Sequence, residues 1–265
     1  MQVTFEKPPL EEVIVGAYFA NPIQALRSEY VGLFWSEIRN ELPTIQQQPE
    51  LLWPLSPVQP LPLSLAPGEF FPMPRFLLHS EDGSIVVQIQ KNAFLVNWRK
   101  RNIDYPRFDK VKAKFDRYFS SFSEFVLKEL SYDIPPIQTV ELTYSNVIDD
   151  CPQWRGARDT SNVIPTFSIP AVGENQVGAI EYNHVTAYAI DPDLNLHVSI
   201  RTARRPEDAS LPVLVFDLRA IGLLGGAKKS EADAWYDRAH ETIIRAFTTM
   251  TSHDMQSSYW KRSDS

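Results

Sequence analysis

The segment from Ile85 to Phe108 constrains the fold more than any other part of the chain. Apolar side chains occupy every second position at Ile85, Val87 and Ile89. The alternation then resumes, shifted by one residue, at Phe94, Val96 and Trp98. Successive side chains of a β-strand point to opposite faces of the sheet, so a shift of one residue requires a turn or a bulge. The sequence therefore predicts two neighbouring strands that are joined at Lys91 and Asn92.

The remainder of the first half predicts further strands and two helices. An apolar stripe with helical spacing runs from about Ile23 to Leu42, and a second one runs from Tyr105 to Leu130. Proline is too frequent between residues 43 and 74 for a helix or a central strand, so we expect a Pro-rich extended loop there. Alternating patterns predict strands over 12–20, 75–80, 84–90 and 93–99, with a tight turn at Asp82 and Gly83.

The second half repeats this order of elements after the proline pair at 135–136. Strands are predicted over 138–146, 177–190, 194–203 and 213–220, and a closing helix is predicted from Ser230. Antiparallel strands with a long helix in each half indicate an α+β fold. We expect antiparallel sheets packed against long amphipathic helices, in two similar α/β-type halves. These halves, 1–132 and 133–265, are predicted to form one body and one cooperative unit.

Charge and cysteine content limit the class of protein. The formal net charge is −7, which argues against a protein built wholly to coat nucleic acid or an anionic membrane. The single cysteine, Cys151, excludes an internal disulfide and a four-cysteine zinc site. The sequence starts without the basic and then apolar pattern of a signal peptide, and it has no apolar run of about 20 residues. A cytoplasmic protein with no membrane partner is expected.

No motif in the sequence predicts catalysis or a bound cofactor. His240 lacks the second histidine of a metalloprotease helix, because Ile244 stands four residues after it. The segment from Gly222 to Ser230 lacks the spacing of a phosphate-binding loop. Cys151 has no histidine near it in the sequence, and no serine lies in a nucleophile-elbow motif. We therefore predict no catalytic residue, no metal ligand and no cofactor.

Basic residues cluster between Lys91 and Arg117 and again near Arg201. A basic surface on an acidic chain suits an acidic protein, a phosphate-bearing ligand or a nucleic-acid backbone, and a solvated helix face with ion pairs is the alternative interpretation. The two clusters would join if the halves packed with corresponding strand ends together. The predicted binding surface consists of Trp98, Arg99, Lys100, Arg101, Arg107, Lys110, Lys114, Arg117, Arg201, Arg204 and Arg205.

Several separated segments together carry a resemblance to one family. They are, in order, Pro8-Pro9-Leu10-Glu11-Glu12-Val13, Pro74-Arg75-Phe76, the run from Gln88 to Arg99, Tyr105-Pro106-Arg107-Phe108, Glu141 to Asn146, Thr202-Ala203-Arg204, Trp235 to His240, and Phe247 to Arg262. Over essentially its whole length the chain resembles a sporadically distributed, uncharacterised family of prokaryotic proteins. Lys91-Asn92 departs from the Asp-Arg-like pair that is common in that family. The resemblance carries no reaction, and the patchy distribution implies an accessory role, such as defence or toxin–antitoxin cargo.

Three classes of function stay open at this point. The first, which we expect, is a non-enzymatic binding or regulatory protein with a protein partner, such as an accessory or antitoxin-like component of a prokaryotic defence system. The second is a nucleic-acid-binding module in which Trp98 and the cations of residues 91–117 follow a phosphate backbone. The third is an enzyme or a small-ligand-binding protein with a pocket between sheet and helices. The oligomeric state does not follow from these patterns.

Overall fold

The computed structural model describes residues 3–51, 73–101, 104–149, 151–173, 177–205 and 210–264. Its helices are α1 (Ser28–Ile38), α2 (Phe108–Leu130), α3 (Thr160–Val163) and α4 (Lys229–Met250). A 3₁₀ turn precedes α3 at Ala157–Asp159, and a π-helical turn follows α4 at Met255–Tyr259. Within these described ranges, no helix combines the length and the apolar character that crossing a membrane requires.

The strands form a nine-stranded sheet and a separate two-stranded sheet. They are β1 (Val3–Phe5), β2 (Leu10–Phe19), β3 (Thr44–Gln48), β4 (Arg75–His79), β5 (Ile85–Gln90), β6 (Ala93–Arg99), β7 (Ile137–Ile148), β8 (Asn183–Asp191), β9 (Leu194–Arg204), β10 (Pro212–Ala227) and β11 (Arg262–Asp264). The larger sheet has the order β3-β4-β5-β6-β2-β7-β10-β9-β8, and β1 pairs with β11. Antiparallel pairs such as β4/β5, β5/β6, β8/β9 and β9/β10, together with the helices, confirm the predicted α+β class.

The chain divides into two compact units. The N-terminal unit comprises Ile14–Glu141 and Leu223–Asp233, and the C-terminal unit comprises Met1–Val13, Leu142–Gly222 and Ala234–Ser265. The unit boundaries fall inside β2, β7, β10 and α4, so each of these four elements contributes residues to both units. The halves predicted from sequence divide instead near the proline pair, in the connection between α2 and β7.

The hairpin of β5 and β6 contains the turn that the phase shift predicts. Gln90 pairs with Ala93, so Lys91 and Asn92 form the two-residue connection between the strands. Both strands are buried on both faces, except at Arg99, the half-buried last residue of β6. The change of phase in the sequence therefore reflects a reversal of chain direction, after which apolar side chains continue on the same face of the sheet.

The turn between β4 and β5 is closed by an aspartate. The Asp82 carboxylate accepts hydrogen bonds from the Ser80 hydroxyl (2.7 Å) and from the Ser84 amide (2.9 Å). These bonds lower the pKa of Asp82, since they favour its charged form. Gly83 has a φ of 69°, which a residue without a side chain adopts at little cost. The predicted Asp-Gly turn is confirmed, and its geometry explains the choice of both residues.

Helix α2 covers one face of the sheet in the N-terminal unit. Its buried residues recur at helical spacing and are Phe108, Val111, Phe115, Tyr118, Phe119, Phe122, Phe125 and Val126. Phe94 of β6 contacts the rings of Phe115, Phe119 and Phe122, with centroid separations of 6.1, 5.6 and 5.2 Å. Trp98 shares this face of β6, is 2% exposed and packs against Tyr105 at 5.1 Å. The apolar phase of β6 thus faces the helix.

Helix α4 supplies the core of the C-terminal unit. The ring of Phe247 stacks on Phe216 of β10 with a centroid separation of 6.0 Å, and it contacts Phe5 of β1 (5.3 Å) and Trp260 (5.0 Å). All three partners come from different segments of this unit, so one helical side chain joins its sheet to both ends of the chain. The closing helix predicted from Ser230 therefore contributes its aromatic ring at Phe247 to the core of this unit.

One strand of the sheet lies in a segment that the sequence predicts to be a loop. Strand β3 occupies Thr44–Gln48, directly after Pro43. It is the first strand in the sheet order, and an edge strand tolerates neighbouring prolines because one side of its backbone needs no partner. The prediction of an extended loop over 43–74 is therefore wrong for β3, and residues 52–72 lie outside the described residues.

Two predicted strand boundaries in the second half also differ from the structure. Strand β8 begins at Asn183 rather than at Val177. Strand β10 continues to Ala227, through a segment interpreted from sequence as a strand-to-helix connection. Gly225 and Gly226 have φ angles of 66° and 100°, and glycines with this geometry interrupt the alternation of a strand without ending it.

Candidate functional site

The face of the sheet opposite α2 in the N-terminal unit carries polar side chains on four neighbouring strands. The strand register places His79, Val86 and Asn97 in one row across β4, β5 and β6. Because side chains alternate between faces, every second residue of each strand shares this face. Its polar strand residues are Thr44, Gln46, Gln48, Arg75, His79, Gln88, Gln90, Asn97 and Arg99, and we call this set the polar face.

A chain of hydrogen bonds runs across the polar face. The Arg75 guanidinium donates to the side-chain oxygens of Gln48 (2.6 Å) and Gln88 (2.9 Å). The Gln88 amide in turn donates to Oδ1 of Asn97 at 2.6 Å. Gln88 and Asn97 are buried, whereas Arg75 is half-buried. The buried amides satisfy each other, as buried polar groups must, and they hold the arginine at the rim of the network.

Arg75 combines a full positive charge with neutral partners. Both hydrogen bonds of its guanidinium go to glutamine side chains, and Nε is buried without a hydrogen-bond partner in the described part of the chain. Burial lowers the pKa of Arg75, and the charge of Arg99 acts in the same direction. A buried donor without an acceptor costs free energy, so an anionic acceptor placed at Nε would be bound favourably.

His79 is the second residue of the polar face with a polar atom that lacks a partner. Its Nε2 is buried and makes no hydrogen bond with any described residue, although the side chain as a whole is half-buried. Burial lowers the pKa of His79, and the charges of Arg99 and Arg101 lower it further. A carboxylate bound at His79 would reverse this effect, because a nearby negative charge favours the protonated imidazole.

The separation of Arg75 and His79 indicates the shape of a ligand. They lie four residues apart on β4, which corresponds to about 13 Å at a rise of about 3.3 Å per residue. A single small anion cannot contact both positions, whereas an extended chain with two acidic groups can. Arg99 and Arg101 lie close enough to His79 to shift its pKa, so the His79 end of the face is the more basic one.

The same face also contains a buried carboxylate. The Tyr18 hydroxyl donates a hydrogen bond of 2.9 Å to Oε2 of Glu141, which is 5% exposed. Negative charge on the face opposes a ligand that carries a negative charge at every step along its length. The polar face is therefore suited to discrete acidic groups at the positions of its cations.

The predicted binding residues at the end of β6 do not all lie on the surface. Trp98 is buried in the core, so it does not lie on a surface where it could stack on a ligand. Arg99 is half-buried on the polar face, and Lys100 and Arg101 are exposed beyond it. Of these four residues, the structure brings Arg99 and Arg101 near His79.

The basic residues of α2 are partly neutralised by acids. Arg117 donates a hydrogen bond to Glu41 and lies over the ring of Tyr118 at 4.5 Å. Exposed Lys110 is 3.9 Å from Asp109, and the other two predicted members, exposed Arg107 and half-buried Lys114, lie at or near the start of the helix. Ion pairs of this kind are typical of a solvated helix face. They favour the alternative interpretation for Arg117 and Lys110.

The three predicted arginines of the second cluster all lie in the C-terminal unit and contact acids. Arg201 is 3.4 Å from Asp217, and Arg204 is 3.5 Å from Glu181. Arg205 donates two hydrogen bonds to Asp149, of 2.7 and 2.5 Å, which raise its pKa. Their charges are therefore balanced within this unit, and the polar face of the N-terminal unit is described without them.

Asp217, which contacts the predicted binding residue Arg201, has a raised pKa. Burial raises its pKa, although the Ser145 hydroxyl donates a hydrogen bond of 2.6 Å and Arg201 lies nearby. The groups that contact it are a hydroxyl and a guanidinium. No cluster of metal-binding side chains occurs among the described residues.

The sequence predicted three of the four strands of the polar face and, among its residues, only Arg99 as a binding residue. Arg75 and His79 lie in a predicted strand, and Gln88 and Gln90 form its predicted polar phase in the next strand. The missing signal is the coincidence of polar phases on three consecutive strands, which places Asn97 on the same face. Whether the polar residues of neighbouring strands share a face depends on the register in which the strands pair. A single sequence indicates this register only where a short turn joins two strands.

No family model matches the chain, and no curated protein matches it.

Proposed function

We propose that the chain is a non-enzymatic binding protein whose polar face holds an extended acidic segment of a partner protein. The observation that carries this proposal is the pair of buried, unpartnered nitrogen atoms on β4, Nε of Arg75 and Nε2 of His79. Arginine binds a carboxylate through two parallel N–H bonds, and the edge that includes Nε can provide them. A partner carboxylate at each position would supply an acceptor that the described residues do not provide.

The composition of the polar face favours a peptide over a nucleic acid. The buried amides of Gln88 and Asn97 bond to each other, and the Gln90 side chain exchanges hydrogen bonds of 3.0 and 3.1 Å with the backbone of Leu51, which is the way a side-chain amide binds an extended peptide. Leu77 and Leu95 lie in the same row as Gln88 and are 3% and 2% exposed, so they form the buried floor of the face. A phosphodiester backbone would instead bring its regular charges past Glu141, and the chain carries a net charge of −7.

The biological role in this proposal is regulatory. An acidic partner segment bound by a protein without a reaction of its own fits an accessory or antitoxin-like component of a prokaryotic defence system. That part of the proposal is supported by the resemblance to a sporadically distributed prokaryotic family, which is an argument from distribution. The site chemistry supports only the acidic partner.

The test measures binding of a fluorescent oligo-glutamate peptide to the full chain by anisotropy. We expect Arg75→Gln to weaken binding about tenfold or more, because a hydrogen bond to a charged group contributes roughly 1.5–3 kcal/mol. Arg75→Lys keeps the charge but lacks the forked geometry and should give a smaller loss. The control is Arg238→Gln, which removes the same charge from an exposed arginine that contacts Asp193.

Three results would contradict the proposal. Equal losses in Arg75→Gln and Arg238→Gln would show that only net charge matters. Tighter binding of a single-stranded DNA oligonucleotide than of the peptide, with steep weakening as salt rises, would favour the nucleic-acid alternative. No binding of the peptide by the wild-type chain would remove the acidic segment as the ligand. Thermal unfolding of each variant verifies that it is folded.

A further inference from the structure

Strand β8 is a long and largely apolar edge of the nine-stranded sheet. It is the last strand in the sheet order, and β9 is the one strand that pairs with it within the part of the chain that the structure describes. Three large apolar side chains on it are exposed, namely Val185 (59%), Tyr188 (44%) and Ile190 (44%). An exposed apolar edge strand presents unpaired backbone groups and is a template for pairing with another strand.

The opposite edge of the sheet lacks this character. Strand β3 has 5 residues of sequence TIQQQ and follows Pro43. Strand β8 has 9 residues, with neither lysine nor proline, and its register irregularity lies at its end, between Ala189 and Asp191. Short length, proline, lysine and bulges are the usual means of protecting an edge. Residues 183–189 of β8 carry none of them.

The hydrogen-bond pattern shows which backbone groups of β8 face outward. Immediately before β8, the Thr202 amide donates to the Tyr182 carbonyl at 3.1 Å, so this pair is a hydrogen-bonded one. Hydrogen-bonded and non-hydrogen-bonded pairs alternate along an antiparallel ladder. The backbone N–H and C=O groups that point away from β9 therefore belong to Asn183, Val185, Ala187 and Ala189.

We infer that β8 pairs with β8 of a second copy of this chain, antiparallel and with the two-fold axis at Ala187. In this register Ala187 faces itself, and Val185 faces Ala189, through their outward backbone groups. On the other side of the strand, Thr186 faces Tyr188, which is a favourable cross-strand combination of β-branched and aromatic side chains. Small side chains at the axis allow the two backbones to approach.

The residues that face each other in this register support a second copy as the occupant. Asp191, the acidic residue at the end of β8, faces the neutral amide of Asn183 in this register and can accept a hydrogen bond from it. His184 faces Ile190, so no like charges meet across the pair. The strand is thus complementary to itself, as an interface with two-fold symmetry requires.

The test uses sedimentation of the full chain over a concentration series. The wild-type chain should show a reversible monomer–dimer equilibrium. Ala187→Lys and Ala187→Glu should each weaken the dimer at least about tenfold, because identical charges meet at the axis. An equimolar mixture of the two variants should recover a heterodimer, because opposite charges then face each other. The control is Leu33→Lys at an exposed position of α1 (51%), which should leave the equilibrium unchanged.

Mixing separates a register-specific effect from a failure to fold, because a misfolded variant is not rescued by its opposite. If either variant fails to unfold cooperatively, the same mixing is done with Val185→Lys and Ala189→Glu, which face each other in the inferred register. A wild-type chain that stays monomeric throughout overturns the inference. So do dimers that tolerate both substitutions at Ala187, and folded variants whose mixture does not associate.

Discussion

His79 is the residue of the polar face that titrates nearest to neutral pH. Burial lowers its pKa below the ordinary value of 6.5, and the charges of Arg99 and Arg101 add to this effect. The unfolded chain therefore binds a proton at this histidine at higher pH than the folded chain does. The stability that neutral His79 contributes is complete above about pH 6.5 and is lost as the pH falls toward the folded pKa.

His79→Gln should therefore reduce the acid sensitivity of the fold. We expect the free energy of unfolding to fall less between about pH 7.5 and pH 5.5 in this variant than in the wild-type chain. Urea titrations at several pH values measure the difference. His253→Gln, which removes an exposed histidine, is the control and should follow the wild-type curve. Identical slopes for wild type and His79→Gln would contradict the assignment of a lowered pKa.

Single residues of the site were harder to predict from sequence than their strands. Trp98 illustrates the difficulty, because it adjoins Arg99, Lys100 and Arg101 in sequence but belongs to the opposite, helix-covered face. Neighbours in a strand point to opposite faces, so a cluster in sequence is not a cluster on a surface. Arg75 and His79 have the opposite relation: nothing in the sequence distinguishes them, and each has one buried side-chain nitrogen without a hydrogen-bond partner among the described residues.

At the scale of elements, a cluster of four charges joins α2 to the first turn of α4 within the N-terminal unit. Lys112 is 2.8 Å from Asp116 and 2.5 Å from Asp233, and Lys229 also contacts both aspartates. The Lys112 side chain is 12% exposed. Burial lowers the pKa of Lys112, but the hydrogen bonds to Asp116 and Asp233 outweigh it, and the net pKa is raised.

Lys112→Gln should destabilise the fold by about 1–2 kcal/mol at pH 7, since it removes charged hydrogen bonds that are only partly shielded from solvent. Burial raises the pKa of Asp233, but the bonds from Lys112 and Lys229 lower it below 3.8. The stabilisation is thus present above pH 3.8 and lost as the pH falls through the folded pKa, so the difference from wild type should shrink in acid.

Urea unfolding at pH 7 and at about pH 3 measures this difference. Lys110→Gln on the same helix is the matched control, because Lys110 is 70% exposed and lies 3.9 Å from Asp109, and it should change stability little. An equal effect of both substitutions at pH 7 would mean that the cluster contributes no more than a surface pair. If the difference in unfolding free energy between Lys112→Gln and the wild-type chain persisted at acidic pH, the destabilisation would result from lost packing rather than from lost charge interactions.

Elements with a regular spacing of apolar residues could be predicted from the sequence. Elements that form only because a neighbouring strand pairs with them could not. The aromatic stripe of α2 and the alternation of β5 and β6 each reflect burial against a partner, which a sequence records directly. Strand β3 has the sequence TIQQQ, with no apolar face, and it becomes a strand because β4 offers it an edge. The extension of β10 through Gly225 and Gly226 likewise depends on backbone geometry rather than pattern.

At the scale of the whole molecule, each unit is assembled from segments that are distant in sequence. The N-terminal unit includes Leu223–Asp233, which is the end of β10 and the start of α4, and the C-terminal unit includes a first segment that precedes Ile14. Sequence analysis predicted two successive halves because the proline pair interrupts all patterns. The sequence did not indicate that each unit includes a short segment distant from the rest of it, because neither β1 nor the first turn of α4 has a pattern that identifies the residues it packs against.

Cutting the chain between Pro135 and Pro136 should leave neither fragment folded alone. The first fragment loses Glu141, which accepts the hydrogen bond of Tyr18, and Asp233, which pairs with Lys112. The second loses Phe5, whose ring contacts Phe247 at 5.3 Å. Loss of these partners leaves apolar and polar groups of both pieces without their contacts, so cooperative unfolding should disappear in each.

Circular dichroism melts of each fragment, and of the two fragments expressed together, measure this outcome. Co-expression is the control, because it restores every missing segment without restoring the covalent link, and it should recover a cooperative transition. Fragments that each melt cooperatively when separate would show that the exchanged segments contribute little to either core. We expect co-dependence, because the segments that cross between the units supply the carboxylates of Glu141 and Asp233 and the ring of Phe5 to otherwise incomplete clusters.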